Sequence, residues 1–183
     1  MTVNRKNVRS LCNFCLIRYP LFKNSVLILG IGNVLMRDEG VGVRVAEELQ
    51  QRYVFPEQVS VIDGGTQGLW LMPTIQETDH LIVIDAVLGG GEPGTIYRLE
   101  RDDLPRGLRA KQSAHDSDLV EALNLCNLLG NGPGSVVVIG IQPQDIQPYG
   151  LELTEKIAAK VEDLIGLVVA ELEGLGVTPE KKV

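Results

Sequence analysis

Apolar residues along the chain alternate between continuous runs and helix-like spacing. Continuous runs such as SVLILGI (25–31) and HLIVIDAV (80–87) are typical of strands that are buried on both faces of a sheet. The runs predict strands over 25–31, 58–63, 80–87, 95–100 and 134–141. Between them, apolar residues recur every three to four positions, which predicts helices over 40–53, over 67–78, from His115 onward and over 152–173.

Strands that alternate with helices predict a particular class of fold. Such a chain forms a mainly parallel sheet that is covered by helices on both faces. We therefore expect an α/β fold with a single domain and a twisted, mainly parallel central sheet. The predicted boundaries are a basic extension over 1–25, the domain over 26–175 and a C-terminal tail over 176–183. Pro73 should kink or delay the helix over 67–78.

Composition narrows the classes of partner. The chain has 183 residues and a net charge of −7, which argues against nucleic acid or an anionic membrane surface as the main partner. No apolar run is long enough to span a bilayer. Three cysteines do not make a disulfide framework, so a reducing compartment such as the cytoplasm is expected. We also expect a monomer.

The first 25 residues differ from the rest. They contain five lysines and arginines and no acid. Cys12 and Cys15 form a CxxC pair without a second pair or a histidine nearby, which is poor support for a zinc or redox site. The alternative is a disordered extension, or translation from too early a start. A secretory signal is not expected, because a long apolar segment and a cleavage site are missing.

Acidic residues collect where the predicted strands end. Asp38 and Glu39 follow the first strand, Asp63 and Asp85 end the next two, and His115 opens a helix. The carboxyl ends of parallel strands form the usual site edge of such sheets. Two carboxylates and an imidazole suit a borderline divalent metal with open positions. The alternatives are that Asp63 only caps the next turn, and that Asp38 and Glu39 only complement a helix dipole.

Other chemistries fit the sequence less well. Gly30 and Gly32 begin a GxGxxG pattern, but Leu35 replaces the third glycine, and the acids that follow would repel a pyrophosphate. The chain has no GxSxG elbow for a serine nucleophile. Cys126 lies on the apolar side of a predicted helix and is expected in the core. His80 is expected to be structural.

Several of these segments together resemble the nickel–iron hydrogenase maturation proteases, nearest to the uptake-hydrogenase branch. The resemblance runs from about residue 26 to the end of the last predicted helix and is carried by the ordered set GIGNVLMRDEGVGVRVAEEL, VIDGGTQGL, HLIVIDAV, EPGT and SAHDSDLVEAL. It implies an endopeptidase that removes a C-terminal extension from the hydrogenase large-subunit precursor after nickel has been inserted. The precursor itself would present the nickel.

The resemblance also implies roles for individual residues. Glu39, Asp85 and His115 match the family residues that are thought to contact the nickel. Our own hypothesis of metal-assisted hydrolysis adds Asp38 as a candidate for positioning a water molecule or orienting Glu39. Asp116 departs from the glutamine that is common in the family. Two other functions remain open from the sequence: a nickel-dependent checkpoint module without catalysis, and a nucleotide-binding α/β protein.

Overall fold

The computed structural model describes residues 24–103, 115–147 and 149–182. Their main feature is a five-stranded sheet with the strand order β3-β1-β4-β6-β5. The first four strands in this order run parallel, and β5 runs antiparallel to β6. The sheet strands are β1 (Val26–Ile31), β3 (Val59–Gly65), β4 (His80–Ala86), β5 (Ile96–Glu100) and β6 (Ser135–Ile141).

Helices cover both faces of the sheet, which confirms the predicted fold class. On one face, α1 (Val41–Arg52) and α5 (Val161–Gly174) pack on residues such as Ile28 and Ile84. On the other face, α3 (His115–Leu128) and the short α2 (Met72–Gln76) pack on residues such as Leu29. All six residues of β1 are buried, because apolar layers cover both of its faces.

Two predicted helices differ from the observed ones. Residues 67–78 form a 3-10 turn over Gly68–Leu71 followed by α2, and Pro73 lies in the first turn of α2, where proline is tolerated. The last predicted helix is divided into α4 (Glu155–Ala158) and α5, and it begins later than the predicted residue 152. Thr154, immediately before α4, has an extended backbone.

A second, two-stranded sheet lies beside the main one. It pairs β2 (Tyr53–Val54) with β7 (Glu180–Lys181) in antiparallel orientation. The Nζ of Lys182 also donates to the carbonyl of Gln50, at 2.7 Å. These contacts fasten residues 180–182 to the C-terminal end of α1. Residues 1–23, which include Cys12 and Cys15, lie outside the described part of the chain.

The described helices do not include a membrane span. None of them is both long and apolar enough to cross a bilayer.

Candidate functional site

The order of the strands creates a crevice between β1 and β4. The strand that follows β1 in the main sheet, β3, pairs with one edge of β1, and β4 pairs with the other edge. The strand β6 then pairs with the free edge of β4, so the sheet grows in opposite directions from β1 and from β4. The connections that follow β1 and β4 therefore lead to opposite faces: α1 covers one face and α3 the other. In open α/β sheets, ligands bind at the carboxyl ends of the strands at such a point.

Glycines let the start of α1 sit directly on the ends of these two strands. A Cβ atom added at Gly42 would lie 2.1 Å from the carbonyl oxygen of Ile84 and 2.3 Å from that of Ile31. Only a residue without a side chain allows this approach. The preceding 3-10 turn (Arg37–Gly40) consequently contacts β4. This packing brings the turn that carries Glu39 to the edge at which β4 ends, with Asp85 near that end.

Glu39 lies in that turn and is buried, with 8% of its surface exposed. Among residues 24–103, 115–147 and 149–182, no group forms a hydrogen bond with its carboxylate. Its turn lies at the carboxyl ends of the strands, which is where open α/β sheets bind their ligands. Glu39 is therefore a strong candidate for a residue that meets a ligand from outside the chain.

Asp85 is the second buried carboxylate of this edge. It is 6% exposed and lies near the end of β4, opposite Gly140 of β6. Its backbone is paired with β6, whereas the pairing of β4 with β1 ends one residue earlier, at Ile84. Asp85 and Glu39 thus come from segments that are far apart in sequence but reach the same crevice.

His115 is the first residue of α3, as the sequence predicted. Its side chain lies outside the described part of the structure, as does that of Asp116. Within the described residues, no group of three or more His, Cys, Asp or Glu side chains is arranged to hold a metal ion. The three-residue set of Glu39, Asp85 and His115 therefore remains a prediction, of which two side chains are located.

Asp38, unlike Glu39, has several hydrogen-bond partners among the described residues. It is fully buried, and its carboxylate accepts four hydrogen bonds from the loop between β6 and α4. The donors are the backbone N–H groups of Gln144 (3.0 Å), Asp145 (2.9 Å) and Thr154 (2.7 Å) and the hydroxyl of Thr154 (3.0 Å). All four groups can donate, which suits an ionised carboxylate. The catalytic role suggested for Asp38 remains a prediction.

The loop between β6 and α4, called here the β6–α4 loop (residues 142–147 and 149–154), was not singled out from the sequence. Its Asp145 pairs with Arg37, with 2.8 Å between Oδ2 and Nη1. Its Gly150 accepts a hydrogen bond from the backbone N–H of Arg37. The rule that pointed to Asp85 would also have pointed here, because the loop follows the carboxyl end of β6.

The other candidate residues have structural surroundings. Asp63 is exposed and accepts a hydrogen bond from the backbone N–H of Gly65 at 2.8 Å, as in a capped turn. His80 contacts the hydroxyl of Ser135 through Nδ1 at 2.7 Å, at the opposite end of the strands. Cys126 is buried in the core, as predicted, and burial raises the pKa of its thiol.

The two glycines of the GxG segment, Gly30 within β1 and Gly32 directly after it, allow close packing in this structure. A Cβ atom at Gly30 would lie 2.3 Å from the carbonyl oxygen of Gly42 and 2.7 Å from the Cβ of Ala46. Gly32 has a φ of +133° and passes the carbonyl oxygen of Glu39. Both glycines are therefore explained by the close approach of α1 and its preceding turn. A bound phosphate is not needed to explain either glycine.

Comparison with known proteins identifies the family. A family model described as hydrogenase maturation protease matches residues 43–171. The hydrogenase expression/formation protein HupD of Bradyrhizobium diazoefficiens is 41% identical over 160 residues, which cover 87% of this chain and 83% of HupD. The hydrogenase 2 maturation protease of Escherichia coli is 35% identical over 153 residues, which cover 83% of this chain and 93% of that protein.

A solved structure agrees with the sequence relatives. The hydrogenase maturating endopeptidase HybD from E. coli superposes with a TM-score of 0.82 at 34% identity, covering 86% of this chain and 98% of HybD. The resemblance predicted from the sequence, including the nearness to HupD of the uptake-hydrogenase branch, is thus confirmed. The chain belongs to the hydrogenase maturation protease family.

Proposed function

We propose that this protease removes the C-terminal extension of the nickel–iron hydrogenase large-subunit precursor after nickel has been inserted. In this proposal, Glu39, Asp85 and His115 contact the nickel that the precursor carries. The metal belongs to the substrate, so its presence in the precursor is the signal that permits cleavage.

The observation that carries the proposal is the pairing of two buried carboxylates at one crevice. Glu39 and Asp85 are 8% and 6% exposed. Glu39 lies in the turn after β1 and Asp85 near the end of β4, and these two strands border the switch point. Carboxylates buried at a ligand-binding edge favour a cationic partner, because a cation offsets the cost of their desolvation. The helix that begins at His115 would add an imidazole, a ligand that suits nickel better than magnesium.

The chemistry would be metal-assisted hydrolysis. The precursor's thiolates hold the nickel, and contacts from the three protein side chains fix its position over the crevice. The scissile peptide bond is then held in a defined place, which lowers the entropic cost of hydrolysis. The nickel can also act as a Lewis acid on the scissile carbonyl or on a water molecule. Recognition alone, with water activated by protein groups, is the alternative within this class.

The experiment compares nickel-loaded and nickel-free precursor. Purified protein is incubated with each, and the mass of the large subunit is followed. We expect loss of the C-terminal extension only from the nickel-loaded form. Binding without a mass change would support a checkpoint module instead, and cleavage of both forms would refute nickel dependence.

Single substitutions test the three residues. Glu39→Ala, Asp85→Ala and His115→Ala should each remain folded by circular dichroism and lose cleavage of the nickel-loaded precursor. Glu48→Ala is the matched control, because Glu48 forms only a surface ion pair with Arg52, at 2.6 Å, on the following helix. Wild-type cleavage rates in two of the three variants would end the metal-contact proposal.

A further inference from the structure

Two neighbouring acids in one turn have different surroundings. Glu39 has no hydrogen-bond partner within the described residues, whereas Asp38 has four, all from the β6–α4 loop. Charge-assisted hydrogen bonds of this kind are about twice as strong as neutral ones. The buried carboxylate of Asp38 therefore holds the loop against the Glu39 turn.

A second set of contacts ties the same two segments together. Arg37 adopts a φ of 53°, a left-handed conformation that a residue with a side chain rarely takes. Its N–H donates to Gly150, the N–H of Gly150 donates to Leu35, and its guanidinium pairs with Asp145. A strained backbone persists when the surrounding contacts determine it, as they do here.

The loop that is held in this way exposes large apolar side chains next to the site. Tyr149 is 85% exposed and Leu151 is 59% exposed, and both flank Gly150, which bonds to the residues just before Glu39. Leu35, from the facing segment, is also exposed. A protein chain that binds along this segment toward Glu39 can bury these side chains.

We propose that Asp38 is a positioning residue, which fixes the β6–α4 loop so that Tyr149 and Leu151 bind the hydrogenase precursor beside Glu39. The proposal rests on the proposed function, because the precursor is taken as the occupant of this surface. Asp38 does not touch the reacting atoms, since both of its oxygens are occupied by the loop. It acts on the affinity for the precursor through the loop.

The first test is kinetic. Asp38→Asn places an amide N–H₂ group among N–H donors, so the loop loses its anchor. We expect the KM for nickel-loaded precursor to rise about tenfold or more in the folded variant, with a smaller change in kcat, because several charge-assisted hydrogen bonds are lost. Thr154→Val, which removes only the hydroxyl donor, should raise KM less, and Thr154→Ser should restore it.

The second test begins with the exposed side chains, for which no Asp38 variant is needed. Tyr149→Ser combined with Leu151→Ser should raise KM while the thermal midpoint stays at the wild-type value, because both side chains are exposed. When Asp38→Asn is added to this double variant, KM should rise little further, since the loop no longer offers a binding surface. Wild-type KM in the double variant, or fully additive effects of the two changes, would overturn the proposal.

A matched control and an independent readout complete the design. Asp79 also accepts hydrogen bonds through a half-buried carboxylate, from the N–H and hydroxyl of Ser25 at 2.9 and 3.0 Å, but at the opposite end of the sheet. Asp79→Asn should therefore lower stability without changing KM.

Hydrogen exchange at the amides of Gln144, Asp145 and Thr154 should accelerate in Asp38→Asn, and unchanged exchange would refute the anchor. If the wild-type protein cleaves no precursor, the proposed function is refuted. The hydrogen-exchange measurement then still tests whether Asp38 holds the β6–α4 loop.

Discussion

The backbone of Gly32 lies against the carbonyl oxygen of Glu39, so closely that a Cβ atom added at Gly32 would be 1.8 Å from that oxygen. The φ of Gly32 is +133°, which side chains also disfavour. One glycine at the end of β1 therefore sets how near the Glu39 turn can come to the sheet. The position of a candidate nickel-contacting carboxylate depends on the absence of a side chain seven residues earlier.

Substitution of this glycine should damage both stability and function. We expect Gly32→Ala to lose about 1–3 kcal/mol or more of unfolding free energy, because the backbone is strained and the Glu39 carbonyl must move. Its folded fraction should cleave precursor poorly. Gly166→Ala is the control: Gly166 is exposed within α5, has open space around it, and should gain about 0.5–1 kcal/mol. Urea unfolding and precursor cleavage on the same samples would measure both effects, and equal stability of Gly32→Ala and wild type would contradict the packing described.

The helix α5 should contribute to stability without a direct role in metal recognition. Leu164 lies on this helix and is completely buried in the core. Leu164→Ala should therefore cost about 2–5 kcal/mol in thermal or urea unfolding. Leu128→Ala removes an exposed leucine of α3 and should change stability by about 0.5 kcal/mol or less. An unchanged thermal midpoint for Leu164→Ala would show that α5 does not pack as described.

Cysteine chemistry should be dispensable. In a Cys12→Ser, Cys15→Ser variant, Cys126 is the one remaining cysteine of the sequence. Because burial raises the pKa of its thiol, less thiolate exists at a given pH, and the buried sulfur is also shielded from reagents. We expect the variant to cleave precursor and to react with a thiol reagent at pH 8 only after denaturation. Rapid labelling of the native protein, or a covalent acyl adduct on any side chain, would refute this.

The N-terminal segment should not be needed for processing. Residues 1–22 precede the first described strand, and they carry Cys12, Cys15 and four basic residues. We expect a chain that lacks them to fold and to cleave nickel-loaded precursor at the wild-type rate. The control is the full chain that is purified in parallel. A truncated protein that is folded but inactive would assign this segment a role in substrate binding.

Much of the fold follows from local patterns. The continuous apolar runs located β1 and β4 in the middle of the sheet, because only strands covered on both faces tolerate such runs. Glu39 and Asp85 were predicted as site residues because they lie after or near the ends of these runs. The direction of β5 could not be predicted in this way, since its alternating pattern suits a parallel or an antiparallel edge strand equally well.

The partner of Asp38 was also beyond local patterns. Thr154 lies 116 positions further along the chain, and no spacing rule connects the two residues. The same contact explains the error at the last helix. Leu153 continues the apolar spacing and packs on the core, but Thr154 bonds to Asp38 with an extended backbone, so α4 begins only at Glu155.

The hydrogen bonds to Asp38 also determine when, during synthesis, the turn that carries Glu39 can reach its final geometry. Its hydrogen-bond donors lie 106 to 116 positions after it, beyond β6. A nascent chain that ends before Gln144 contains Glu39 and Asp85, but it lacks every group that holds Asp38. The contact is non-local and its donors are synthesised after the core strands, so it forms late. The turn that carries Glu39 thus reaches its final geometry only after the ribosome has added the segment that follows the last parallel strand.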